Sequence, residues 1–139
     1  ARGRSRARHR AAREFARVLR HGGVVGMSDL TRGPSLPEDL NGLLAWVACI
    51  ADAQPVEGYA GYLRRAGLRV DCIEKHDEAL SEMVSQVRLR LLGAEIAVGL
   101  KKIELPGVDF AGAKRMAQSA TEAVRAGSLG YAIVHATKA

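Results

Sequence analysis

A chain of 139 residues is one domain or part of one, long enough to bury a real core. Its net charge of +6 sits at the start, where residues 1–20 carry eight arginines against the single acid Glu14 and the remainder sums to −1. Two cysteines without a Cys-x-x-Cys partner exclude a disulfide framework, and no run approaches the roughly 20 apolar residues of a membrane span, so a soluble protein of a reducing, cytoplasmic compartment is expected.

Residues 1–10 hold only Ala, Arg, Gly, Ser and His, and no apolar signal segment follows them. With so little apolar surface to bury, they are expected to form a flexible arginine-rich tail. Alternatively they are the product of a misframed or truncated gene. From Ala11 the pattern changes. Ala12, Phe15, Ala16 and Leu19 recur at helical spacing with arginines opposite, and Gly22 suits the left-handed position that ends such a helix. The run 24–30 is mostly apolar and reads as a strand covered on both faces.

A polar loop is expected at 31–39, broken by Pro34 and Pro37, followed by a Leu- and Ala-rich helix over 40–53. Pro55 suits the first position of the next helix, where Tyr59, Tyr62, Leu63 and Ala66 form one stripe and Gly67 closes the element. Leu68, Val70 and Cys72 alternate with polar residues, which predicts a strand with all three side chains on its core face. A long helix follows at about 77–100, with Leu80, Met83, Val84, Val87, Leu91, Ala94 and Val98 along one face. Asp109 can cap a further helix whose Phe110, Ala113, Ala117, Ala120 and Val124 face inward, before a last strand at 129–136.

The segment Glu14-Phe-Ala-Arg-Val-Leu-Arg-His-Gly-Gly23, followed by a strand, resembles the turn into strand five of class I S-adenosylmethionine-dependent methyltransferases. His21 stands where that turn most often has proline. Ala66-Gly-Leu-Arg-Val70 resembles the lead into strand six, and Gly130-Tyr-Ala-Ile-Val134 resembles strand seven. The resemblance covers residues 11–139 and implies an α/β fold: a partial Rossmann-like sheet in the order five-seven-six, its last strand antiparallel, with about five helices. Two of those helices would be inserted between strands six and seven, which the family usually joins briefly. The Trp46-Val-Ala-Cys49 segment and the Val56-x-x-Tyr59 helix are similar to the branch of arsenite and quinone-biosynthesis methyltransferases.

That resemblance implies the acceptor side of an enzyme that moves a methyl group from S-adenosylmethionine to a small molecule. Its cofactor-binding residues would lie in the half that precedes strand five. The dense cluster Gly22-Gly23-x-x-Gly26 precedes a strand rather than following one, so it does not read as a cofactor loop. This chain alone is therefore expected to bind no cofactor and to be inactive, and it carries no residue assigned to catalysis.

Four residues are candidates for acceptor contact. Cys49 falls where arsenite methyltransferases carry a thiol, and soft metalloids prefer sulfur ligands; otherwise it is a small buried hydrophobe. Asp29 and Ser28 end the first strand at the carboxyl edge, where open α/β sheets bind ligands, although Asp29 can equally cap the following loop. Trp46 can line an apolar pocket or simply fill core. His76-Asp77-Glu78 reads as a helix start whose acids suit the dipole, and His9, His21 and His135 have no metal-ligand spacing. Neither a metal nor a nucleophile elbow is expected.

Removing the earlier strands would leave the edge of strand 24–30 open, so homodimerisation or pairing with another chain is expected there. Two other readings remain: a nucleic-acid module working through its arginine arm, and a non-catalytic partner of a separate methyltransferase. No aromatics interleave the arginines and no groove-reading motif follows them, so a small-molecule acceptor is preferred to nucleic acid.

Overall fold

A computed structural model describes residues 2–41 and 49–139 of the chain. The first element, α1 (Arg2–Val18), starts inside the segment expected to be a flexible tail. Alanine and arginine are among the best helix formers. The extra turns also find partners. Arg8 donates to the Asp52 carbonyl at 2.8 Å and to its carboxylate, and the His9 ring stands edge-on to Tyr62 at 4.7 Å. Gly22, at φ +72°, turns the chain into β1 (Val24–Arg32).

Between β1 and the next helix, 3₁₀ turns span Glu38–Asn41 and Ile50–Asp52. The expected helix over 40–53 does not reach its end: Cys49 is left-handed at φ +62° and Ala53 is extended, so an α-helix cannot pass through. Pro55 is the residue before the helix rather than its first, and α2 covers Val56–Arg65. After β2 (Leu68–Lys75), α3 (Asp77–Gly99) and α4 (Phe110–Arg125) lead to β3 (Leu129–Lys138). The described residues thus hold four α-helices instead of about five.

The sheet has the order β1-β3-β2, and β3 runs antiparallel to both neighbours. The β3–β1 register pairs Met27 with Val134 and Gly26 with His135. On one face α1 and α2 cover the sheet: Ala12, Tyr59, Ala60 and Leu63 close over Leu68, Val134 and Ala136. On the other face α3 and α4 cover the start of β3, where Leu80, Val84, Ala120 and Ala123 pack on Leu129. Residues alternate along β3 between these two clusters, as strand geometry requires.

Three expectations about burial change. β1 is covered on both faces only at its end, where Leu30 packs toward α3 and α4; over 24–28 it alternates as an edge strand, with Val25 and Met27 turned to the core while Val24, Gly26 and Ser28 are exposed. Cys72 is exposed rather than inward. A register break between Val70 and Cys72 adds a residue to β2, which reverses the phase and hands the inward place to Ile73. The stripe along α3 is buried only at Leu80 and Val84, because beyond them α3 leaves the sheet; Met83 and Val87 are exposed. There α3 is tied to α4 by Lys114, whose ammonium meets the Glu95 carboxylate at 2.8 Å.

Helix ends are fastened by specific groups. Asp109 caps α4 by accepting from Gly112 N at 2.9 Å, as its position predicts. The Lys138 ammonium donates to the Ala16 and Leu19 carbonyls, placing a cation at the negative end of α1. Asp77 lies at the start of α3, yet its carboxylate accepts from Tyr131 N at 3.0 Å and so ties that helix to β3. Leu63 is fully buried in the α1–α2 cluster. Leu63→Ala is expected to cost about 2–5 kcal/mol in urea unfolding, whereas Leu89→Ala, 70% exposed on α3, should stay within about 0.5 kcal/mol.

Candidate functional site

The carboxyl end of β1 brings together the polar groups of three elements. Tyr59 projects from α2 and is 3% exposed. Its hydroxyl donates to the Leu30 carbonyl at 3.0 Å and accepts from Gln54 N at 3.2 Å. Gln54 also forms a parallel bridge with Thr31, its carbonyl accepting from Arg32 N at 3.0 Å. Asp52, two residues earlier, holds Arg8 of α1. A polar seam therefore runs from α1 through the 50–54 turn to the end of β1.

Asp29 is half-buried beside this seam, and one of its oxygens accepts from Leu30 N at 2.8 Å. With Arg8, Phe15, Met27 and Tyr59 it lines a cavity of about 110 Å³. Burial, reinforced by the Asp29 charge, pushes the Tyr59 phenol above its ordinary value of 10, against a smaller opposing pull from the Gln54 N–H. The phenol therefore stays protonated further into the alkaline range, and at neutral pH it acts as a hydrogen-bond donor.

On the opposite side of β1, Leu30 contributes to an apolar cavity of about 210 Å³. Ile50, Leu80, Val84, Met116 and Leu129 form other parts of its wall. Its lining is almost wholly hydrocarbon, so it suits the apolar part of a ligand. The two cavities share β1 as their partition.

Of the four residues expected to contact an acceptor, the three that are described are not brought to one place. Asp29 faces the α1–α2 side, while Ser28, the next residue along the strand, is exposed on the other face. Cys49 is exposed in a left-handed turn and is next in sequence to Ile50, which lines the apolar cavity. Trp46 lies outside the described residues. Tyr59 and Arg8 organise the seam, yet the sequence marked them only as a stripe residue and part of a tail. The one signal for Tyr59 was a hydroxyl, shared with Tyr62, on a helix face turned to the core.

The glycines around β1 have structural uses. Gly22 makes the positive-φ turn and donates to the Lys138 carbonyl at 2.8 Å, and Gly23 sits where a Cβ would lie 2.8 Å from the Arg20 carbonyl oxygen. Gly26 is within the strand, beside the His135 ring. This cluster does not fit a cofactor cradle, because the N–H groups of Gly22 and Gly23 are committed to the turn and Gly26 lies inside a strand, not in a loop that opens a helix. Among the described residues no helix is long and apolar enough to cross a membrane.

No protein-family model and no curated protein matches the chain. Solved structures do resemble it. A Galdieria sulphuraria protein assigned as a sarcosine dimethylglycine methyltransferase is 20% identical with a TM-score of 0.70, over 95% of this chain and 48% of its own. The cyclopropane synthase MmaA2 of Mycobacterium tuberculosis is 13% identical at 0.68, over 96% and 50%. The phospholethanolamine N-methyltransferase 2 of Haemonchus contortus, solved with phosphomonomethylethanolamine and S-adenosylhomocysteine, is 13% identical at 0.67, over 94% and 29%. The chain spans half or less of the length of these proteins. The likeness shows the fold: that of part of a class I S-adenosylmethionine-dependent methyltransferase domain.

Because folding raises the Tyr59 value above that of the unfolded chain, its contribution to stability is complete below about pH 10 and is lost as pH climbs through the folded value. Tyr59→Phe is expected to cost about 1–2 kcal/mol at neutral pH and to flatten this alkaline decline, as measured by urea unfolding between pH 8 and pH 11.

Proposed function

We propose that this chain forms the acceptor-side, C-terminal half of an S-adenosylmethionine-dependent methyltransferase that acts on a small molecule. The observation that carries the reading is the sheet whose last strand enters between the first two and antiparallel to them, in a fold shared with methyltransferases over nearly all of the chain. When bound, the cofactor of such enzymes presents a sulfonium methyl to a nucleophile. The glycines described here do not cradle it, so this chain's part is to hold and orient the acceptor.

The apolar cavity behind Leu30 receives the hydrocarbon part of that acceptor, and α3 with α4 forms its wall. Two similar structures favour an apolar acceptor. One is a geranyl diphosphate C-methyltransferase of Streptomyces coelicolor A3(2), solved with geranyl diphosphate and S-adenosyl-L-homocysteine; the other is a mycolic acid cyclopropane synthase. The Tyr59–Leu30 hydrogen bond holds the wall shared by the two cavities, and Asp29 supplies a carboxylate on the α1–α2 side. The finer placement beside arsenite and quinone-biosynthesis methyltransferases draws support from the Cys49 thiol, which is exposed next to the cavity residue Ile50.

Among the described residues β1 pairs only with β3, apart from the bridge to Gln54. Its other edge offers backbone donors and acceptors to a further strand, contributed by the cofactor-binding half or by a second copy. Two measurements test the reading. In titration calorimetry the chain alone is expected to show no micromolar binding of S-adenosylmethionine; such binding would overturn the assignment of the cofactor to other residues. Light scattering at high concentration is expected to show dimers or larger species, and a monodisperse monomer would count against an available edge.

A further inference from the structure

On the α3–α4 side of the sheet, further along β3 than those helices cover, lies a second constellation, separate from both cavities. Cys72 of β2 lies directly across from His135 of β3 in the strand register, and Glu74 is two residues further along β2 on the same face. One ligand atom from each of the three comes within 4.8 Å of the others. The bulge that breaks the register at Val70/Cys72 creates this grouping, because the regular alternation would have turned Cys72 into the core.

The donors are chosen and supported in a consistent way. His135 Nε2 is shielded from solvent and has no hydrogen-bond partner, although a Glu74 oxygen lies 3.1 Å away. That approach is not aligned as a hydrogen bond, so Nε2 is left to take a proton or a metal ion. A proton would engage Glu74 alone and leave the neighbouring thiol outside the grouping. A metal ion uses all three. The other Glu74 oxygen is 3.3 Å from His76 Nε2, which can hold the carboxylate in orientation. On the β1 side, Gly26 pairs with His135, and even an added Cβ would stay 3.7 Å from the ring, so nothing from β1 crowds the imidazole.

We propose that Cys72, Glu74 and His135 form a binding site for a borderline divalent transition metal of the Zn²⁺ class. One sulfur, one nitrogen and one oxygen are the donors such ions take, at roughly 2.3, 2.0 and 2.1 Å, with water in the fourth position. Closing the triangle from 4.8 Å draws on rotation of Cys72 and Glu74, both exposed residues, with His76 steadying the far Glu74 oxygen. The thiol proton leaves to solvent as the thiolate binds, and no electron is transferred.

The test uses the full chain, reduced and stripped of metal. Zn²⁺ titrated against a competing chromophore is expected to bind at one equivalent per chain, and Co²⁺ in its place should give a near-ultraviolet thiolate-to-cobalt charge-transfer band. Cys72→Ser and His135→Ala should each weaken Zn²⁺ binding by about tenfold or more and abolish the band, whereas Cys49→Ser leaves both intact. Glu74→Gln is the conservative check, keeping side-chain volume while removing charge; it too should weaken binding. Far-ultraviolet circular dichroism of the metal-free variants confirms that they are folded. Substoichiometric binding, absence of the band, or variants that bind like the parent would overturn the site and leave a plain His135–Glu74 ion pair.

Discussion

Everything in this molecule is anchored to β3. The last ten residues of the fold enter between two strands that cannot reach each other, and their alternating side chains belong to two different cores. Val134 and Ala136 close under α1 and α2, while Leu129 closes under α3 and α4. The pairing of Val24 with Thr137 joins opposite ends of the chain. Such a contact carries a large loop-closure cost. The fold is therefore only as secure as the register of this one strand.

That register is held at both ends by groups outside the ladder. At one end Asp77 reaches from α3 to Tyr131 N, and His76 N donates to the Tyr131 carbonyl at 2.8 Å. At the other, the Lys138 ammonium closes the carbonyl end of α1, while Gly22 and Gly23 exchange backbone hydrogen bonds with Lys138. A slip of one residue would exchange the two faces of β3 and bury His135 and Thr137 in place of Val134 and Ala136. Within β2 such a phase change does occur, at the bulge, and it puts the thiol of Cys72 and the carboxylate of Glu74 beside the His135 imidazole.

The two cavities on either side of the end of β1 show how a single strand divides chemistry. Asp29 and Leu30 are consecutive, so they face opposite ways, one toward Arg8 and Tyr59 and the other toward hydrocarbon. Tyr59 fixes their relative position through the Leu30 carbonyl, and its burial keeps the phenol protonated. Two small cavities therefore share one wall, with Asp29 and Arg8 on one side and hydrocarbon on the other.

The sequence alone determined the elements whose signals are local. The stripe of Tyr59 and Leu63, the cap at Asp109, the glycine at 22 and the alternating start of β2 are short-range patterns, each set by the geometry of one helix, turn or strand. The resemblance carried by the turn before β1 pointed to the fold class that solved structures share. Tertiary structure decided the rest. Arginines at the start became a helix because Asp52 and Tyr62 stood ready to receive Arg8 and His9, residues more than forty positions away. The turn at Cys49 and the bulge before Cys72 follow from where neighbouring segments pack, and no periodicity within either segment encodes them. Local pattern specifies which way a backbone bends; only the partner across the sheet specifies which side chains then meet.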